Sequence, residues 1–355
     1  MHITTIVGAR PQFIKAAPVS SALRKNHNEF LVHTGQHYDE NMSRLFFDEL
    51  GIPAPDVNLE IGSGPHGEQT GRMLVGIEKI LMEKKPDLVL VYGDTNSTLA
   101  GAIAAAKLHI PIGHVEAGLR SFNRRMPEEI NRILTDKISN YLFCPTSTAV
   151  AHLQKEGITA GVHRTGDVMY DAALHFAGLA EKKESVLAKL GIEHKHYLLA
   201  TCHRPQNTDD EQALTGIVEA FIESGETVVF PVHPRTSVFL KKFGLLERMI
   251  KTKNMMPIEP VGYLEMLQLE KFAKKILTDS GGVQKEAYFF KVPCITMRPE
   301  TEWVETVEDG WNILTGSDKR KILQAITGFS PTHEQKNHYG DGRASERIAD
   351  ILSSI

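Results

Sequence analysis

The feature that most constrains this chain is a series of short, continuously apolar, β-rich runs. They are ITTIV (3–7), FLVHT (30–34), DLVLVY (87–92), YLLAT (197–201), TVVFPV (227–232) and KKILT (274–278). Alternating polarity would mark strands with one wet face; unbroken apolarity marks strands covered on both. Between the runs lie segments of helical character, such as TLAGAIAAAKL (98–108) and QALTGIVEAFIES (212–224). This alternation of strand and helix builds parallel sheets wrapped by helices. The expected fold class is therefore α/β, with doubly wound, Rossmann-like sheets.

A chain of 355 residues exceeds one ordinary core and predicts two domains. The segment DAALHFAGLAEKKESVLAKL (171–190) reads as helical with a charged centre, and a new strand begins at about Tyr197. We place the boundary there: a first domain over 1–170 and a second over 171–341. A last helix within 342–355, GRASERIADILSS, is one the first domain can reclaim.

Composition narrows the function. The formal charge of −4 gives no general pull toward nucleic acid or an anionic membrane, although a local basic site for an anionic ligand remains open. The start, MHITTIVGARPQF, reads as a strand entering a loop rather than a signal peptide, and no stretch is long and apolar enough to span a bilayer. Cys144, Cys202 and Cys294 are scattered, which fits packed thiols in a reducing cytoplasm and gives neither a disulfide framework nor a CxxC metal site. No HExxH or similar metal spacing occurs.

In open parallel sheets, ligands bind beyond the carboxyl ends of the strands. Polar residues collect there. After ITTIV come Gly8, Arg10, Gln12 and Lys15; after LVLVY, the run GDTNST with Asp94; after PIGHV, Glu116, Gly118 and Arg120. After YLLAT come His203, Arg204 and Asn207; after VVFPV, His233 and Arg235; after KKILT, DSGGVQKEA with Asp279, Ser280, Gly281, Gly282 and Glu286. A single cleft between the two domains would gather all six loops.

DSGGVQKEA opens a helix directly after a strand, so its free N–H groups and the helix dipole suit an anion. Glu286, in the first turns, could accept from ribose hydroxyls. An ordinary tight turn with an N-cap serine satisfies the same residues. Neither GxGxxG nor GxxxxGK[ST] is present. In GDTNST, Asp94 or Thr95 suffices as an N-cap. The stretch HVEAGLRSFNRRMPEEINR (114–132) divides: Glu116 follows a strand and Glu128 follows Pro127. Glu129 faces elsewhere, about 100° around the helix, and Arg124 and Arg125 read as solvated loop charges.

Taken in order, GARPQFIKAAPV, GDTNSTLAGA, HVEAGLRS, MPEEINR, the histidine-arginine strand end at 201–204, PVHPR, LTDSGGVQKEA and YGDGRASERI resemble the non-hydrolysing UDP-N-acetylglucosamine 2-epimerases over essentially the whole chain. The resemblance implies the glycosyltransferase-B architecture with an interdomain active site. It also implies inversion at C2 of a UDP-2-acetamido sugar, UDP-GlcNAc to UDP-ManNAc. UDP is eliminated across C1–C2 to give 2-acetamidoglucal, then adds back with a proton delivered to the opposite face. It implies neither NAD nor a catalytic metal, a homodimer, and a role in supplying cell-surface polysaccharide precursors. Carried over by position, Asp94, Glu116 and Glu128 are the acid/base carboxylates and His203 lies close to the leaving diphosphate. Arg10, Ser280, Gly281 and Gly282 meet phosphate, and Glu286 meets ribose. Lys15, Arg120 and His233 are further ligand contacts.

Several positions depart from the commoner pattern. RPQN follows His203 where a glutamate is frequent, Asp167 stands for asparagine, and Trp303 in TEWVE stands for arginine in TERPE. Asp39 in GQHYDE replaces a glutamine that helps hold a second, activating UDP-GlcNAc in regulated members, which argues against that activation here. GARPQF, GDVM and TEWVE resemble the branch containing epimerases of UDP-2,3-diacetamido-2,3-dideoxyglucuronic acid, which is the alternative substrate. A hydrolysing 2-epimerase, a glycosyltransferase and a non-catalytic nucleotide-sugar-binding module are the remaining readings.

Overall fold

The computed structural model describes residues 1–36, 47 and 50–355. The position of Asp39 lies outside the described residues. The chain forms two compact units, Met1–His175 with Asn337–Ile355, and Phe176–Lys336.

The first unit holds β1 (His2–Val7), β2 (Asn28–His33), β3 (Val57–Asn58), β4 (Leu88–Tyr92), β5 (Ile112–Val115), β6 (Tyr141–Cys144) and β7 (Val162–Arg164). They form one sheet in the order β3-β2-β1-β4-β5-β6-β7, and every pair is parallel. The second unit holds β8 (Leu198–Thr201), β9 (Val228–Pro231), β10 (Met255–Ile258), β11 (Lys275–Thr278), β12 (Cys294–Thr296) and β13 (Asn312–Leu314). Their order is β10-β9-β8-β11-β12-β13, again all parallel. Each sheet thus reverses direction once, between β1 and β4 in the first and between β8 and β11 in the second. A crevice opens at the carboxyl ends of such a pair, because the loops on its two sides turn to opposite faces.

Small residues set the spacing at the first reversal. The helix Asn96–Lys107 is rich in alanine, and a Cβ at Gly101 would lie 2.8 Å from the Ile6 side chain. The helix therefore lies close against β1 and β4 and completes a core with Val32, Met73, Ile77, Val89 and Val91. In the second unit, apolar residues cover both faces of the sheet: Leu198, Phe221 and Phe230 in one cluster, Leu199, Val229 and Ile276 in the other.

The helical stretch expected over 171–190 is two helices, Val168–Ala180 and Val186–Leu190. The charged centre breaks it, and Ser185 restarts the chain by accepting from the Ala188 N–H. The last helix, Ala344–Ser353, lies in the first unit. Asp171 caps it, accepting from the backbone N–H groups of Ala344 at 3.1 Å and Ser345 at 2.7 Å. All three cysteines are buried and unpaired. Among the described residues, no helix is long and apolar enough to cross a membrane.

Candidate active site

In the first unit, the loops after β1, β4 and β5 converge. Gln12 ties the first two together. Its carbonyl accepts from the N–H groups of Gly8 (2.8 Å) and Ala9 (3.0 Å), and its amide donates to Tyr92 O (2.8 Å) and Thr98 Oγ1 (3.0 Å). Arg10 begins the helix Arg10–Leu23 and is half-buried. One turn on, Lys15 reaches across to an ion pair with the Glu116 carboxylate.

Glu116 is buried and has a φ of +73°, in the left-handed region that costs a non-glycine residue about 1–2 kcal/mol. The backbone turn aims its carboxylate at β4. A Cβ at Gly93, itself at φ +63°, would lie 3.3 Å from Glu116 Oε2 and 3.4 Å from Lys15 Nζ. Glycine at 93 leaves room for that ion pair.

The GDTNST run divides its work. Thr95 is the N-cap of the helix Asn96–Lys107 and forms a capping box with Thr98. Asp94 is spared that task and turns to Arg132, which donates to one of its oxygens from Nε at 3.0 Å and Nη2 at 2.6 Å. Two carboxylates on adjacent strand ends, Asp94 and Glu116, are thus each held by a separate cation.

Glu128 and Glu129 separate as helical neighbours must. Glu128 is half-buried in the first turn of the helix Pro127–Ile138, and among the described residues it has no hydrogen-bond or ion-pair partner. Glu129 is buried and accepts from the N–H groups of Ser121 and Phe122, each at 2.9 Å, and from Arg132 at 2.8 Å. Burial opposes ionisation of Glu129, but the Ser121 N–H and the Arg132 guanidinium outweigh it and hold the carboxyl below its usual range. Arg124 and Arg125 are exposed.

Arg120, expected among the ligand contacts, is instead part of the frame. It is buried and bonded to Asp136 at 2.7 Å, to Glu156 at 2.7 and 2.9 Å, and to Leu119 O at 2.7 Å. Its guanidinium is spent inward because Asp136 and Glu156, 16 and 36 residues away, meet it there. Asp136 also bonds His114 Nδ1 (2.7 Å) and the Gly118 N–H (3.1 Å), and His114 Nε2 meets Gly93 O at 2.7 Å. This buried network underlies the Gly93 and Glu116 turns. Neither Asp136 nor His114 stood out in sequence, since His114 lies within a strand and Asp136 within a helix.

In the second unit, the ends of β8 and β11 meet through Asp279. Fully buried, its carboxylate accepts from the N–H groups of His203 and Arg204 and from the Asn207 amide, at 2.9 to 3.1 Å. His203 Nδ1 lies 3.6 Å from Asp279, and its ring centre is 5.6 Å from that of His233. Burial holds the His203 imidazole below its ordinary range, against Asp279 and with Arg204. His233 is exposed at the start of the helix Pro234–Lys242, where its Nδ1 accepts from the Arg235 N–H at 3.2 Å.

Ser280 occupies the N-cap position of the helix Gly281–Phe289, but its side chain makes no capping bond. The hydroxyl is not consumed as an ordinary cap. A Cβ at Gly281 would lie 2.5 Å from Glu302 Oε1 and 3.3 Å from Trp303 Nε1, whereas one at Gly282 would meet nothing closer than 3.8 Å. Gly281 is therefore the more closely approached of the two glycines. Trp303, in place of the commoner arginine, is buried with Lys285 Nζ 4.0 Å from its ring centre. Glu286 is buried and accepts from the Tyr263 hydroxyl at 2.8 Å. Among the described residues, no three His, Cys, Asp or Glu side chains are grouped to hold a metal ion.

Two Rossmann-like units, one with strand-end carboxylates and the other with a glycine-led helix start, place the protein in the glycosyltransferase-B class of nucleotide-sugar enzymes. The profile of the UDP-N-acetylglucosamine 2-epimerase family matches residues 21–353, and the chain belongs to that family of isomerases. A UDP-N-acetylglucosamine 2-epimerase homolog of Methanococcus maripaludis is 60% identical, with 100% of both chains covered. The UDP-2,3-diacetamido-2,3-dideoxy-D-glucuronate 2-epimerase of Pseudomonas aeruginosa is 52% identical, also over 100% of both. The crystal structure of the Methanocaldococcus jannaschii UDP-GlcNAc 2-epimerase in complex with UDP-GlcNAc and UDP superposes with a TM-score of 0.93, at 49% identity and 100% coverage of both chains.

Proposed function

We propose that this protein inverts C2 of UDP-GlcNAc to give UDP-ManNAc without releasing free sugar. The observation that carries the reading is the pair of strand-end carboxylates, Asp94 held by Arg132 and Glu116 held by Lys15. The C2 hydrogen is not α to a carbonyl, so its removal must be coupled to departure of UDP. A carboxylate takes the C2 proton while the C1–O bond breaks and UDP leaves with the bonding pair, giving 2-acetamidoglucal. In the return step UDP oxygen attacks C1 and a proton reaches C2 from the opposite face. Asp94, Glu116 and Glu128 serve these proton transfers. Arg10 and His203 stabilise the departing diphosphate. Ser280 and Gly281 at the start of the helix Gly281–Phe289 retain it, with Gly282, and Glu286 accepts from ribose.

The test is proton NMR of UDP-GlcNAc with the purified protein in D2O. Deuterium enters C2 and UDP-ManNAc appears with no free ManNAc. Release of free ManNAc and UDP would mean a hydrolase instead. The 52% identity to the Pseudomonas enzyme supports a second reading, the same chemistry on UDP-2,3-diacetamido-2,3-dideoxyglucuronic acid. The two differ at C3 and C6 of the sugar, and the larger kcat/KM decides between them. Absence of C2 exchange with both sugars would overturn the epimerase reading.

The expected setting is a cytoplasmic homodimer supplying cell-surface polysaccharide precursors. Ile130, Leu134 and Ile138 support the dimer: they are 39, 46 and 37% exposed and, at intervals of four, line one face of a helix. Leu134→Glu should convert a dimer to a monomer in sedimentation.

A further inference from the structure

His114 lies within β5 and is fully buried, and both of its ring nitrogens are engaged. Nδ1 is 2.7 Å from Asp136 Oδ1, and Nε2 is 2.7 Å from Gly93 O. A peptide carbonyl only accepts, so Nε2 must carry a hydrogen. A second hydrogen lies between Nδ1 and Asp136, since two bare acceptors that close would repel. The pair therefore holds two protons. The other oxygen of Asp136 shows where the second belongs. It accepts from the Gly118 N–H at 3.1 Å and from Arg120 Nη1 at 2.7 Å. Donors on both oxygens favour the carboxylate. Burial opposes that charge, but the His114 and Arg120 bonds outweigh it and hold Asp136 below the usual carboxyl range. The second proton then belongs on the ring.

The surrounding charges agree. Arg120 bonds both Asp136 and Glu156, so the row runs His114, Asp136, Arg120, Glu156. With a cationic ring its signs alternate and its charge sums to zero. With a neutral ring one negative charge is left over, and an uncompensated charge in the interior is costly. On the two flanking strands the register partners of His114 are Val91 and Leu142, both apolar. Cys144 on β6 is the other titratable group set against the row. Burial and then the Asp136 charge push its thiol up, so it stays neutral and adds no charge.

The ring acts on the loop that carries Asp94. Gly93 follows β4 and stands at φ +63°. Its N–H donates to Val115 O at 2.9 Å, and its carbonyl accepts from His114 Nε2. β5 thus holds Gly93 at both ends, and the carbonyl sets the plane of the peptide that leads into Asp94. A neutral ring has one N–H and would turn a lone pair to either Gly93 O or Asp136. We propose that His114, as an imidazolium, is a positioning residue that locks this peptide and holds Asp94 at the angle its proton transfer requires. Arg132 holds the Asp94 side chain, and His114 holds the backbone that precedes it. This rests on the reading of Asp94 as an acid/base carboxylate.

Nitrogen NMR of the full chain, isotopically labelled at histidine and held at neutral pH in H2O, tests the charge. Both ring N–H signals of one imidazolium should be present in the wild type and missing in His114→Gln. A His114 ring with one protonated and one bare nitrogen overturns the proposal. Steady-state kinetics on the preferred UDP-sugar test the positioning. His114→Leu offers Gly93 O no donor and should lose about 10- to 100-fold in kcat with KM held. His114→Gln keeps an N–H for Gly93 O and should recover part of that loss, to within about tenfold of wild type. UDP affinity by calorimetry, within about threefold of wild type, marks a variant as folded. A folded His114→Leu chain with wild-type kcat, or equal losses in the two variants, overturns the positioning role. Should His114→Leu fail to fold, the wild-type ring spectrum still decides. A wild-type chain with no C2 exchange on either sugar removes the Asp94 role with the reading beneath it, while the ring spectrum still reports the charge.

Discussion

Arg132 donates to a single oxygen of Asp94 through both Nε and Nη2, at 3.0 and 2.6 Å. Its third nitrogen reaches Glu129 at 2.8 Å. One buried guanidinium therefore links the β4 strand end to the helix Pro127–Ile138, which also carries Glu128. Hydrogen bonds to charged groups are worth about 1.5–3 kcal/mol each. Arg132→Met should accordingly lower kcat by about 10- to 100-fold. UDP affinity, measured by calorimetry, should stay near wild type, because the residues proposed to hold the diphosphate, Arg10, His203, Ser280 and Gly281, include neither Arg132 nor its partners Asp94 and Glu129.

Glu116 should show a conflict between activity and stability. Removing the carboxylate in Glu116→Gln or Glu116→Ala should cost about 10²- to 10⁴-fold in kcat, as loss of an acid/base group does. Glu116→Gly should be equally inactive. At φ +73° glycine is relieved of the Cβ strain, so Glu116→Gly should be more stable than Glu116→Ala by about 1 kcal/mol. Urea unfolding of the two variants makes the comparison; equal stabilities would mean that the turn is unstrained.

Gly8 is pressed between two hydroxyls. A Cβ there would lie 2.0 Å from Thr34 Oγ1 and 2.2 Å from Ser97 Oγ, which hydrogen-bond each other at 2.8 Å. Gly8→Ala should destabilise the protein by about 1–3 kcal/mol, the usual cost of overpacking. Unfolding titrations of Gly8→Ala against the roomy Gly282→Ala control will show whether the effect is steric.

Acid should loosen the first unit through its buried carboxylates. Glu129 and Asp136 both have folded-state proton affinities held below the unfolded values, each against the opposing effect of burial. Ser121 and Arg132 do this for Glu129, and His114 and Arg120 for Asp136. A depressed carboxyl stabilises the fold above its unfolded pKa, near 4. That stability is lost as pH falls through the lower folded value. Glu129→Gln should therefore flatten the stability–pH curve below about pH 4, as read by urea unfolding at successive pH values; an unchanged slope would remove Glu129 from the account.

Much of the fold was readable because burial on both faces leaves a local mark. The runs at 3–7, 87–92, 197–201 and 274–278 each coincide with a strand, β1, β4, β8 and β11. The sequence also marked the strand-end loops, since polar residues directly after an apolar run have few structural reasons to be there. It misread the continuous helix at 171–190, because apolar spacing carried on through a charged stretch that Ser185 interrupts as a cap. It placed Arg120 among ligand contacts, named Gln12 and Asp279 without the ties they make, and passed over His114 and Asp136.

The sequence by itself determined the α/β class, the positions of the polar strand-end loops and the separation of Glu128 from Glu129, all of which follow from periodicities of a few residues. Only the tertiary structure decided what each polar side chain serves. Arg120 turned inward to Glu156, and Asp279 became the tie between β8 and β11. The reason is physical. A buried polar group is governed by the partner that satisfies it, and those partners lie 16 to 76 residues away for several of these groups, beyond the reach of any local pattern.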